Sequence, residues 1–132
     1  MKKNLPMTGN IYQNLANRTN DRKCSERLTK VLDDWEWTDA DLGGIICASL
    51  GLSGEVGEVN DMIKKWIFHE TDMDWTHLMK ELGDVLWYVA LMCSSIGWKL
   101  DDVMKMNIEK LEERYPEGFD PERSAHRKEG DV

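Results

Sequence analysis

Apolar residues in the middle of this chain recur at intervals of three and four. Leu42, Ile45, Ile46, Leu52, Val56, Val59, Ile63 and Trp66, with Ser49 completing the series, fall on one face of an α-helix. The spacing predicts a long helix from about Asp39 to Phe68. Thr38 followed by Asp41 resembles a capping box at its start. A second long helix is expected from about Asp74 to Ile96, with Asp72 and Asp74 as caps and Gly97 as its stop. A third runs from about Asp101 to Tyr115, where Met104, Ile108, Leu111 and Tyr115 form an apolar stripe and Pro116 ends it. A short helix over about Ile11 to Thr19 precedes these, and the polar stretch Asn20 to Lys30 is left unassigned. The three prolines, Pro6, Pro116 and Pro121, leave residues 10–115 uninterrupted, and few alternating β-branched runs occur. The pattern is all-α: a four-helix, bundle-like fold in one domain over residues 1–132. Its helical core spans about 10–115, and a polar tail follows over about 117–132.

One segment breaks the two-sided pattern. Val85 to Cys93 is apolar on every side of its helix, and such a helix is buried all round. Four helices in so small a domain can hardly cover it. A homodimer or homotetramer is therefore the expected cover, with a well-wrapped central helix in a monomer as the alternative. The run is nine residues long, short of the roughly 20 that cross a bilayer. No apolar region follows Lys2 and Lys3, so a signal peptide is not expected. Cys24, Cys47 and Cys93 have neither disulfide nor metal-finger spacing, and the chain is read as cytoplasmic with reduced thiols. With 25 acidic against 17 basic residues and a net charge of -8, it lacks the basic footprint of a nucleic-acid binder. Neither nucleic acid nor membrane is an expected partner. A small anionic ligand would need a bound cation to reverse the local field.

The acids themselves suggest that cation. Glu55-Val56-Gly57-Glu58-Val59 is echoed 26 residues later by Glu81-Leu82-Gly83-Asp84-Val85, and Leu52 and Leu78 stand three residues before each copy. With each leucine at 0°, the first acid of a pair falls at about 300° and the second at about 240°. Glu55 and Glu81 therefore lie inside or at the edge of the apolar stripes, while Glu58 and Asp84 flank them. If the helices form an antiparallel hairpin, four carboxylates share one cleft. Burying them is costly unless they are paired or metal-bound. A hard cation with oxygen ligands resolves this: Mg²⁺, with Mn²⁺ as a possible substitute. Gly57 and Gly83, each about 1 kcal/mol worse than alanine in a helix, suggest close approach of another helix or of a ligand. Taken singly, each E-x-x-E or E-x-x-D pair also suits an ordinary solvated helix face. A di-iron bundle would instead want Glu-x-x-His pairs.

Further candidates surround the acids. Asn107, Lys110 and Arg114 share one face of the last helix, beside its apolar stripe. They would either hold phosphate oxygens or form a solvated face paired with Glu109 and Glu113. Tyr88 lies one turn past Asp84 on the acid face, and Lys65 shares the side of Glu58. Trp35 and Trp37 suit base stacking or the plugging of a core edge equally well. His69, His77 and His126 show no ligand spacing and are read as surface residues.

Three segments together resemble the MazG-like nucleotide pyrophosphohydrolases, of the all-α NTP pyrophosphatase group that includes dimeric dUTPases, dCTP pyrophosphatases and phosphoribosyl-ATP pyrophosphatases. They are Leu52-Ser-Gly-Glu55-Val-Gly-Glu58-Val, Glu81-Leu-Gly-Asp84-Val-Leu-Trp-Tyr88 and Asn107-Ile-Glu-Lys110-Leu-Glu-Glu-Arg114-Tyr-Pro. The resemblance is strong over about Asp39 to Tyr115. It implies an oligomeric enzyme that hydrolyses a nucleoside triphosphate (NTP or dNTP) to the monophosphate and pyrophosphate. It implies Glu55, Glu58, Glu81 and Asp84 as Mg²⁺ ligands, with Glu58 or Glu55 acting on the attacking water. Asn107, Lys110 and Arg114 would contact phosphates or sugar, and Tyr88 the nucleotide; Lys65 and Trp37 are added as substrate-binding candidates. Many relatives carry another acid where this chain has Gly54, and Asp61 is the candidate replacement. The alternatives are a nucleotide- or metal-binding regulator without turnover, and a helical oligomerisation module.

Overall fold

The computed structural model describes residues 7–35 and 39–126, so Trp37 and Thr38 lie outside the described residues. The chain divides into two compact units, residues 1–38 and 39–132. All regular structure among the described residues is helical.

In the first unit, α1 (Gly9–Ala16) starts where the Thr8 hydroxyl accepts the Ile11 N–H, and it closes in a 3₁₀ turn over Asn17–Thr19. The unassigned polar stretch turns out to be helical: α2 covers Cys24–Trp35. Asp21 ties down its approach by accepting the Lys23 N–H and pairing with Arg27 at 2.5 Å, which lowers the Asp21 pKa. Its apolar residues Leu28, Val31, Leu32 and Trp35 recur at intervals of three and four, the spacing of one helix face.

The second unit is built on a hairpin. α3 (Leu42–Phe68) and α4 (Trp75–Ile96) start alike: the carboxylates of Asp41 and Asp74 accept the N–H of Gly44 and His77, each at 2.9 Å. An N-cap of this kind contributes about 1 kcal/mol. Asp41, expected as the fourth residue of a box begun by Thr38, is thus itself the cap. Gly97 ends α4 at φ 82°, the left-handed conformation that glycine adopts without strain. The Asp41 N–H donates to the Ser95 carbonyl at 2.8 Å, pinning the start of α3 to the end of α4.

The seam between the two helices is lined by small residues. Gly44, Ala48 and Gly51 follow one another at helical spacing; Ala48 is fully buried, and Cys93 and Ser95 are buried on the other side. A Cβ at Gly44 would stand 2.2 Å from the Ser95 hydroxyl oxygen, and one at Gly51 would stand 2.1 Å from the Tyr88 ring. Seven residues forward on α3, from Gly44 to Gly51, thus match seven back on α4, from Ser95 to Tyr88. The register is antiparallel and continuous to the far end, where Trp66 and Trp75 meet edge to face at 5.6 Å.

α5 (Leu100–Arg114) begins after Trp98 and Lys99 and touches the hairpin only sparsely. Its stripe stays open, with Met104, Ile108 and Leu111 exposed. The expected loose tail contains a short helix, α6 (Pro121–Ala125), capped by Asp120 with proline in its first turn. The Arg123 guanidinium donates to the Arg114 carbonyl at 3.2 Å. Among the described residues α3 is long and apolar enough to cross a membrane by length and composition alone, a test that hairpin helices also pass.

Candidate functional site

The register of the hairpin decides where the acids fall. One turn beyond Gly51, Glu55 continues the line Gly44–Ala48–Gly51 into the seam. On α4 Glu81 holds the equivalent place, one turn before Val85. Both are half-buried, whereas Glu58 and Asp84 are exposed. One oxygen from each of Glu55, Glu81 and Asp84 lies within 4.8 Å of the others. Glu58 stands outside this trio, although its charge still reaches Glu55. Three of the four expected acids therefore converge, and the fourth flanks them.

This grouping is strained electrostatically. The Glu55 pKa is raised, first by desolvation in the seam and then by the charges of Asp84 and Glu81. A hydrogen bond with Glu81 and the charge of Glu58 push the same way. Negative charge on Glu55 is thus disfavoured by its surroundings, a condition a cation relieves. The donor set is all carboxylate oxygen, which suits Mg²⁺ or Mn²⁺ rather than softer metals. Ligand oxygens of an octahedral Mg²⁺ lie about 3.0 to 4.2 Å apart, given bonds of about 2.1 Å. Small side-chain rotations bring the trio within that range, so the residues fit the ion.

The remaining candidates separate. Asp61 is ion-paired with Lys64 and, at 2.5 Å, with Lys65, which lower its pKa to about 2. It is paired with two lysines and lies outside the trio. Lys65 is correspondingly held by Asp61, with its pKa raised, although the Glu58 charge also reaches it. The Tyr88 ring packs over the α3 backbone at Gly51 and meets Trp87 edge to face at 4.9 Å, so it belongs to the seam. Asn107 and Lys110 line a cavity of about 650 Å³ at the α4–α5 turn with Gly97, Trp98, Lys99 and Met106. Arg114 is half-buried, with its guanidinium 5.9 Å from the Tyr115 ring centre.

One expectation, close approach of another helix at Gly57 and Gly83, is corrected. A Cβ at Gly57 or Gly83 would meet nothing within 4 Å. Each lies two residues past a seam acid, about 200° around the helix, so these glycines face away from the partner helix rather than toward it. His77, expected at the surface rather than as a ligand, is exposed and outside the trio, and its Nε2 lies 2.7 Å from Glu81 Oε1. The four-residue interval from His77 to Glu81 was the available signal, since such pairs meet on a helix.

A family model for the MazG nucleotide pyrophosphohydrolase domain matches residues 48–119. That stretch begins at Ala48 in the seam and takes in all four acids and α5. The chain is also 34% identical over 79 residues to the "Gene 37 protein" of Mycobacterium phage L5, covering 57% of this chain and 69% of that protein. No solved structure matches the chain.

Proposed function

Since the chain belongs to the MazG nucleotide pyrophosphohydrolase family, we propose that it performs Mg²⁺-dependent hydrolysis of a nucleoside triphosphate to the monophosphate and pyrophosphate. The observation that carries this reading is the convergence of Glu55, Glu81 and Asp84 in the seam, where the neighbouring carboxylates raise the Glu55 pKa. Bound there, a divalent ion supplies positive charge to the triphosphate oxygens and makes water a better nucleophile.

The residues divide the remaining work by position. Glu55 and Glu81, half-buried and fixed by the hairpin, orient their oxygens into the cleft. Asp84 closes the trio from its exposed rim. Glu58, exposed beside the trio but not part of it, is placed to hold a water and take its proton, the role of a general base. Asn107, Lys110 and Arg114 supply a neutral donor and two cations suited to phosphate oxygens. Water attacks the α-phosphorus in line, a P–O bond to the β-phosphate bridge breaks, and pyrophosphate leaves as a unit.

The functional form is proposed to be a homodimer or homotetramer. Leu82, Leu86 and Trp87 on α4 and Met104, Met106 and Ile108 on α5 are all between 48% and 69% exposed. Apolar faces of this extent on adjacent helices mark an interface. The lack of close α5–hairpin packing leaves room for a second copy there.

The test is an assay of the common NTPs and dNTPs with Mg²⁺, followed by hydrolysis in ¹⁸O-labelled water. The label is expected in the nucleoside monophosphate, with pyrophosphate unlabelled. Orthophosphate and a nucleoside diphosphate as first products would refute the reaction. Binding of nucleotide and metal without turnover would favour a regulator on the same fold.

A further inference from the structure

We propose that His77 is a positioning residue that fixes the Glu81 carboxylate for cation binding; the proposal rests on the reading that Glu55, Glu81 and Asp84 hold a divalent ion. His77 is held through its backbone and through its ring. Its backbone N–H donates to the Asp74 carboxylate that caps α4, at 2.9 Å. Its ring Nε2 lies 2.7 Å from Glu81 Oε1, one turn further along the helix. The helix start is thereby linked through His77 to the acid in the seam.

The exposures show which way the pair works. The Glu81 side chain is 14% exposed and the His77 side chain 55%. The carboxylate lies inside and the imidazole covers it from outside. At this separation Nε2 carries the proton and donates, which a neutral ring does as well as a charged one. With Oε1 engaged, rotation of the Glu81 carboxylate is restricted, and its second oxygen remains for the trio. His77 is not itself among the converging ligand groups, so its place is behind a ligand rather than on the ion. Glu55 and Asp84 have no imidazole donor of this kind among the described contacts. The device acts on one of the two half-buried acids of the trio. Outer partners that orient a metal ligand commonly change affinity about 10- to 100-fold when removed.

The experiment measures Mn²⁺ binding to the metal-free full chain by electron paramagnetic resonance, with wild type, His77→Ala, His77→Gln and Asp84→Asn. A circular dichroism melt of each checks the fold. Glutamine puts its amide nitrogen close to where imidazole Nε2 stands. His77→Ala is expected to weaken Mn²⁺ binding by about 10-fold or more, and His77→Gln to recover most of it. Wild-type affinity in His77→Ala, with binding lost in Asp84→Asn, would overturn the positioning role and leave the acid site intact. Failure of His77→Gln to recover affinity would overturn it too, as would direct nitrogen coupling of the His77 ring to Mn²⁺. Unchanged binding in Asp84→Asn would remove the acid site itself, and this proposal with it.

Discussion

Alanine substitution at four helical glycines of the hairpin should split by sign according to which way each faces. At Gly51 the added Cβ would lie 2.1 Å from Tyr88 Cε1, where ordinary contact begins near 3.4 Å, so the ring must retreat by about 1.3 Å. Forcing a methyl into a packed seam costs about 1–3 kcal/mol, and about 1 kcal/mol returns from better helix propensity. Gly51→Ala should therefore destabilise by up to about 2 kcal/mol. Gly44→Ala adds a second collision, 2.5 Å from an oxygen of the capping Asp41. Loss of part of that cap, worth about 1 kcal/mol, makes it the more damaging of the two. At Gly57 and Gly83 nothing lies within 4 Å, and neither has positive φ. Each alanine there should stabilise the metal-free chain by about 0.5–1 kcal/mol, and the pair should raise Tm by roughly 3–8 °C for a domain of this size. The assay is urea and thermal unfolding without metal, with a double-mutant cycle pairing Gly51→Ala with Tyr88→Val. That pair should be less destabilised than the sum of the singles by about 1 kcal/mol. A gain in stability at Gly51, or additivity with Tyr88→Val, would refute the seam. A loss at Gly57 or Gly83 would refute the view that their face is open.

Asp84→Asn and Glu58→Gln should each abolish turnover while leaving the metal-free melt unchanged or slightly raised; a fully active Asp84→Asn enzyme would defeat the site assignment. The pH dependence of stability without metal should carry two opposite contributions. Glu55 has a pKa above its ordinary 4.5, so the native state holds that proton more tightly than the unfolded chain. Its contribution is fully present below about 4.5 and is lost as pH rises through the raised value, a decline that Glu55→Gln should flatten. Asp61, lowered from 3.8 to about 2, acts the other way: its contribution is present above 3.8 and lost as pH falls through 2. Melts across pH 2–7 read both. Light scattering in dilute solution should give a dimer or tetramer, and a stable particle of 15.3 kDa would contradict the proposed assembly.

Much of this protein is legible in its residues. Helix periodicity, the capping aspartates Asp41 and Asp74, and Gly97 as a stop are local signals, and they placed α3, α4 and α5 within a few residues of their observed ends. The repeat of Glu55–Glu58 in Glu81–Asp84 also showed which acid of each pair enters an apolar stripe, because that depends on angle around one helix. Other features depend on which surfaces meet. Only the hairpin register shows that Gly44 and Gly51 admit Ser95 and Tyr88, while Gly57 and Gly83 face away. A glycine's own residue type says nothing about what stands opposite it. The same register brings Asp84 rather than Glu58 into the trio, whereas the pairing of Asp61 with Lys64 and Lys65 is local, three and four residues along one helix. The register also sets the Tyr88 ring against the α3 backbone at Gly51. The start of α2 falls in the unassigned stretch although Leu28, Val31, Leu32 and Trp35 stand at helical spacing, so the signal for this helix is present in the sequence. Sequence spacing fixes direction around a single helix; the partner at the end of that direction belongs to the tertiary structure, since contact depends on two backbones at once.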